Sequence, residues 1–143
     1  MKKLASLSND QKKLIFIVLS LIVFGSLLFI GSVTVNFSED AVTISASLTS
    51  GSEIPYENIK GVLLDTDLEP GSRVFAIGSL RLKAGDFKND KYGDYKLYAY
   101  ANADTFVVIQ DQEGAITAFG LQDAETTMEA YETLLSHCGH LAS

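Results

Sequence analysis

From Leu14 to Val33 the chain reads LIFIVLSLIVFGSLLFIGSV, twenty residues without a charge. No other stretch narrows the possible folds as much, because a helix of that length rises about 30 Å, the thickness of a bilayer's hydrocarbon core. The run predicts one transmembrane helix over residues 14–33. A cleaved secretory signal would have an apolar region of about 7–15 residues and a small-x-small cleavage site. Here the run is longer and nothing at its end reads Ala-x-Ala, while Gly31-Ser32-Val33 and Ser45-Ala46-Ser47 keep cleavage as the alternative. Lys2, Lys3, Lys12 and Lys13 precede it, and the next basic residue after it is Lys60. The positive-inside tendency then predicts a single-pass protein of the cell membrane, with a cytoplasmic N-terminus and an extracytoplasmic domain.

Around that run the chain divides into a basic segment 1–13, the span 14–33, a domain over 34–138 and a tail 139–143. With 143 residues in all, there is room for one ordinary domain and no second. Residues 34–143 carry seven basic and seventeen acidic side chains. So acidic a domain is repelled by phosphate backbones and anionic lipid, which argues against nucleic acid as a partner. Cys138 is the single cysteine, so no internal disulfide can form and stability must come from packing.

Beyond Val33 the apolar pattern changes from continuous to alternating, the mark of half-buried strands. Val42, Ile44, Ala46 and Leu48 alternate with Thr43, Ser45 and Ser47, while Leu97, Ala99 and Ala101 alternate with Lys96, Tyr98 and Tyr100. Further strands are expected at 34–37, 59–65, 74–77, 80–84, 105–110 and 115–119. Turn chemistry separates them at 38–40, 69–71, 89–94, 102–104 and 111–114, and the last three turns are short enough for hairpins. One helix ends the domain: Asp123 offers an N-cap, Glu125 lies in the first turn, and Ala124, Met128, Tyr131 and Leu135 share one face. Gly139 is a candidate C-cap. Short antiparallel strands followed by one amphipathic helix predict a mainly β fold, a small barrel or orthogonal sandwich with the helix against an open end.

The order of these segments resembles the bacterial pleckstrin-homology-like families. The resemblance rests on Ile54-Pro55-Tyr56-Glu57-Asn58-Ile59 leading into a strand, the stretch from Ala76-Ile77-Gly78 to Phe87, then Tyr95 to Ala101 and Thr105 to Asp111. It covers roughly residues 34–136. It implies a seven-stranded barrel capped by the terminal helix, a role in binding or assembly, and no catalytic motif. Eukaryotic pleckstrin-homology domains that bind phosphoinositides use basic residues around the first inter-strand loops. The corresponding stretch here, from Ser38 to Asn58, holds no Lys or Arg, so inositol-lipid recognition is not expected.

Three clusters invite a site. His137, Cys138 and His140 are metal-capable, but they sit in a terminus expected to fray, and no metal is assigned to them. Asp65, Asp67 and Glu69 alternate as a calcium loop begins, yet Pro70 stands where such a loop wants glycine; a solvated acidic loop is the expectation. Lys96, Tyr98 and Tyr100 project to one face of a strand, and a mixed aromatic and basic face suits a peptide or acidic partner. Asp86, Asp90 and Asp94 partly neutralise it. The two histidines both lie in the C-terminal tail, which leaves no base for a nucleophile, and neither a phosphate loop nor a dinucleotide fingerprint is present. The expectation is a membrane-anchored, non-catalytic binding or assembly module without a cofactor, serving a protein partner. The rival is a small extracytoplasmic hydrolase that uses acidic residues, either by themselves or with a metal from the Asp65 loop.

Overall fold

A computed structural model describes residues 7–28, 31–47, 49–77 and 81–141. Leu48 and Leu80, which close and open two of the expected strands, lie outside these residues, as do the first six residues of the basic segment and the last two of the tail. The chain forms two units, residues 1–30 and 31–143.

In the first unit, helix α1 runs Asn9–Leu28. It takes Asp10, Lys12 and Lys13 into its first turns, so its uncharged part is residues 14–28, about 22 Å at 1.5 Å per residue. That is short of the roughly 30 Å a bilayer demands. At the other end of the apolar run, Gly31 and Ser32 are not helical and Val33 opens a strand. Among the described residues no helix is long and apolar enough to cross a membrane. The transmembrane span from Leu14 to Val33 is therefore corrected, and the single-pass placement and orientation drawn from it fall as well. One apolar run in sequence is divided between two kinds of backbone.

The second unit is mainly β with a C-terminal helix. A three-stranded sheet contains β1 (Val33–Phe37), β2 (Ala41–Ala46) and β3 (Ser52–Pro55) in that order. A six-stranded sheet contains β4 (Ile59–Asp65), β5 (Ser72–Ile77), β6 (Leu82–Asn89), β7 (Gly93–Tyr100), β8 (Phe106–Asp111) and β9 (Ile116–Gly120). Its order is β4-β8-β9-β7-β6-β5. Two of the three expected hairpins form, β6–β7 and β8–β9. The third does not: β9 lies between β7 and β8 and pairs with β7 in parallel. Strand β3 had no counterpart among the expected strands, because four residues containing Glu53 and Pro55 show no run of apolar alternation.

The larger sheet is forced to curl. In a flat sheet with strands about 4.8 Å apart, β4 and β5 would stand about 24 Å from each other. The connection between them is residues 66–71, which even fully extended reaches about that far. It is not extended, since Gly71 turns at a φ of 79°. A Cβ there would collide with the Lys88 carbonyl, so the turn requires glycine. The sheet therefore rolls until the end of β4 meets the β6–β7 turn. Inside the curl lie Leu68, Phe87, Tyr95, Leu97, Ala99, Phe106, Val108 and Ala118.

The opposite face of the sheet forms a second core with β1–β3 and helix α2 (Ala124–His137), joining Val42, Ile44, Ile54, Tyr98, Phe119 and Leu134. Strand β7 is thus buried on both faces, Leu97 and Ala99 toward one core and Tyr98 and Tyr100 toward the other. Helix α2 is capped as expected, the Asp123 carboxylate accepting from the Thr126 N–H at 2.7 Å. Its buried face is Thr127, Ala130 and Leu134, rotated from the expected stripe; Met128 is 40% exposed. Thr127 can occupy a core face because its hydroxyl donates to the Asp123 carbonyl and accepts from the Leu121 N–H, which removes the cost of burying it.

Candidate functional site

A cavity of about 500 Å³ among the described residues is an open groove beside β3. Ser52, Glu53 and Ile54 line it consecutively. Neighbouring strand residues point to opposite faces, so a cavity that touches three in a row runs along the strand's edge. The floor comes from the six-stranded sheet, where Asp86, Lys96 and Thr117 stand opposite one another across β6, β7 and β9. Asp94 lies two residues from Lys96 on the same face of β7.

Four of the groove's lining side chains are acidic, Glu53, Asp86, Asp94 and Asp111, against one lysine, Lys96. Asp111 is already engaged in the β8–β9 turn, where its Oδ1 accepts from the N–H groups of Glu113 at 3.0 Å and Ala115 at 2.8 Å. Glu53, Asp86 and Asp94 are exposed, and none of their carboxylates has a hydrogen bond or ion pair to another described residue. Apolar contact area adjoins them at Ile116 and at Val74, which is 64% exposed. The arrangement suits an extended cationic segment that sets its charges against carboxylates and its apolar positions against this wall.

The face expected from Lys96, Tyr98 and Tyr100 is separated by the fold. Lys96 is exposed on the groove floor. Tyr98 and Tyr100 are 4% and 6% exposed, under the three-stranded sheet. The Tyr98 hydroxyl is hydrogen-bonded to Ser52 Oγ at 2.9 Å, and Tyr100 Oη accepts from the Val33 N–H at 3.2 Å. Both tyrosines hold the two sheets together, so their rings offer nothing to a partner. Their burial was not visible in the alternation, which reads tyrosine as the solvent side of a strand. Tyr98 still bears on the groove, since through Ser52 it secures one wall.

Asp65 is not a cation ligand in an open loop. Its side chain is 2% exposed and lies 2.8 Å from Lys91 Nζ. It also accepts from the Tyr92 hydroxyl at 2.5 Å and from the Asp67 N–H at 2.8 Å. Burial by itself would raise its pKa, but the hydrogen bonds from Lys91, Tyr92 and Asp67 and the lysine charge together hold it below the usual carboxylate value of 3.8. The same environment, burial first and the Asp65 hydrogen bond second, raises the Tyr92 phenol well above its ordinary range. Nearby, the Tyr95 hydroxyl donates to the Pro70 carbonyl at 2.8 Å and Asn89 Nδ2 donates to the Glu69 carbonyl at 2.8 Å. These contacts latch the β4–β5 connection to the β6–β7 hairpin and hold the sheet curled. With Asp65 so engaged, its carboxylate is not free to ligate a metal in the way the metal-dependent form of the hydrolase alternative would use it.

The C-terminal cluster is likewise structural. His137 stacks on Tyr56 at 4.7 Å between ring centroids and on Phe37 at 5.7 Å. Cys138 is fully buried, its thiol pKa raised by that burial, and a His140 ring nitrogen meets the Ile59 carbonyl at 2.8 Å. The terminus expected to fray is tied to the domain as far as His140. Among the described residues no group of three or more His, Cys, Asp or Glu is placed to hold a metal ion.

Sequence spacing could not disclose the groove, because Glu53 lies more than thirty residues from Asp86 and meets it only through sheet packing. No curated protein and no solved structure matches the chain. The family described as bacterial PH domain matches residues 33–135, the three-stranded sheet, the curled sheet and most of helix α2. By that match the chain belongs to the bacterial PH domain family.

Proposed function

We propose that this PH-type domain is a non-catalytic binding module whose groove beside β3 takes a basic, extended peptide segment of a protein partner. PH-like domains are generally non-catalytic, and the fold supports that coarse reading. One observation carries the finer reading: Glu53, Asp86 and Asp94 surround an open groove of about 500 Å³, and their carboxylates have no ion pair among the described residues. Lys96 on the floor favours an acidic or neutral peptide position beside it and opposes a cationic one, which gives the groove a direction as well as a charge. The edge of β3 adds little backbone pairing, because Pro55 has no N–H to offer.

A labelled peptide of alternating lysine and valine, followed by fluorescence anisotropy, tests the proposal. The full chain should bind it more tightly than a glutamate and valine counterpart, with affinity falling as salt is raised. Exposed charge pairs contribute about 0.5–1 kcal/mol each. The triple variant Glu53→Gln, Asp86→Asn, Asp94→Asn should therefore weaken binding about tenfold or more. Equal affinity for the two peptides, or an unaffected triple variant, refutes the assignment.

A further inference from the structure

The other free edge of the three-stranded sheet is of a different kind. The two sheets expose four strand edges among the described residues, β1, β3, β4 and β5. An uncovered edge is a template for pairing, and proteins blunt it with charge, proline or a bulge. Strand β3 has Glu53 and Pro55. Strand β4 has Lys60 and a register shift between Ile59 and Gly61. Strand β5 has Arg73 and a shift between Arg73 and Phe75. Strand β1 reads Val-Thr-Val-Asn-Phe and pairs with β2 in unbroken register. It has no charge, proline or bulge.

Its backbone is also presented outward. The Ser47 N–H donates to the Ser32 carbonyl and the Ser38 N–H to the Ala41 carbonyl. Even-numbered residues of β1 therefore bond to β2, and Val33, Val35 and Phe37 turn their N–H and C=O groups away from it. The Val33 N–H is engaged by Tyr100 Oη. Those of Val35 and Phe37 have no partner among the described residues. Beside this edge lies a second groove of about 400 Å³ between β1 and α2. Val33, Val35 and Phe37 line one side, Ala130 and Thr133 the other, and Glu129 is the single charged lining residue among the described residues.

We infer that this edge is the contact for a second copy of the chain, β1 pairing antiparallel with β1 about Val35. Charge complementarity selects that occupant: an uncharged strand meets an uncharged strand and a nearly neutral groove, whereas the β3 edge would set Glu53 against Glu53. The pairing joins both three-stranded sheets into one continuous sheet across a two-fold axis. It satisfies the free N–H groups of Val35 and Phe37, and the apolar side chains of each β1 fill the groove of the other copy. The β3 groove stays open in this dimer, so the dimer neither requires nor contradicts peptide binding there.

Centred on Val35, the pairing sets Thr34 opposite Asn36 of the second copy. Both side chains are exposed, so substitution there should leave the fold intact, which circular dichroism checks. Full-length Thr34→Cys and Asn36→Cys chains, mixed under mild oxidation, should give at least fivefold more disulfide-linked dimer than either variant alone, with the wild-type chain and its buried Cys138 as background. By sedimentation, Asn36→Lys should weaken the wild-type dimer at least tenfold. The inference is overturned by a mixture that links no better than the single variants, by a monomeric wild-type chain at tens of micromolar, or by association that Asn36→Lys leaves unchanged, as pairing through α1 or another surface would.

Discussion

Asp65 and the groove carboxylates Glu53, Asp86 and Asp94 are similar chemical groups in opposite circumstances. Asp65 is buried, and its oxygens are engaged by Lys91, Tyr92 and the Asp67 backbone. The other three are exposed and unpaired among the described residues. A buried carboxylate is tolerable only when every acceptor is used, so Asp65 is committed to holding the curl. An exposed carboxylate is stabilised by water and remains free to meet a partner. The location of an acidic residue, not its abundance, separates architecture from recognition in a domain with seventeen of them.

The comparison can be broken most readily at the latch. Replacing Asp65 by alanine removes the hydrogen bonds to Lys91, Tyr92 and Asp67 and leaves a phenol with no acceptor. The expected loss is about 3 kcal/mol, or roughly 10 °C in Tm for a domain this size, by thermal unfolding. A loss under about 1 kcal/mol would show that the latch is dispensable. The pH dependence sharpens the same point. Because the folded-state pKa of Asp65 lies below its usual 3.8, its contribution is complete above that value and is lost as pH falls through the folded value. Wild-type and Asp65→Asn stability should therefore differ at neutral pH and converge as pH falls through the folded-state value. Groove variants should behave otherwise: Asp86→Asn and Asp94→Asn are each expected to shift stability by no more than about 0.5 kcal/mol, while weakening binding of the lysine and valine peptide two- to fivefold. Smallest of all, Lys96→Met should tighten that peptide about twofold by removing the groove's one lining cation. A weakening would mean that Lys96 holds the peptide directly.

Much of the fold was legible. Alternation marked β1, β2 and β4 through β9, and Asp123 announced the start of α2 through the chemistry of its N-cap. What failed did so for identifiable reasons. Thr127 and Cys138 count as polar in a periodicity, yet both are fully buried, which turned the helix face away from the stripe of Met128. Tyr98 and Tyr100 passed for a solvent face because their hydroxyl partners, Ser52 and the Val33 N–H, come from strands more than forty residues away. Of the site, the sequence marks Lys96 as part of a binding face and Asp86 and Asp94 only as neutralising it, and nothing local points to Glu53.

By itself the amino-acid sequence determined the local choices: which stretches alternate, where Gly71 and Pro70 break the chain, the acidic balance of the domain and the absence of a disulfide. Those are short-range consequences of side-chain shape and charge. Tertiary structure decided the rest. It divided the apolar run after Leu14 between a helix and a strand, buried β7 on both faces, inserted β9 between β7 and β8, and distributed the carboxylates between latch and groove. Each outcome depends on which strands pair. Pairing is governed by burial and hydrogen bonding summed over residues far apart in the chain, which no local pattern records.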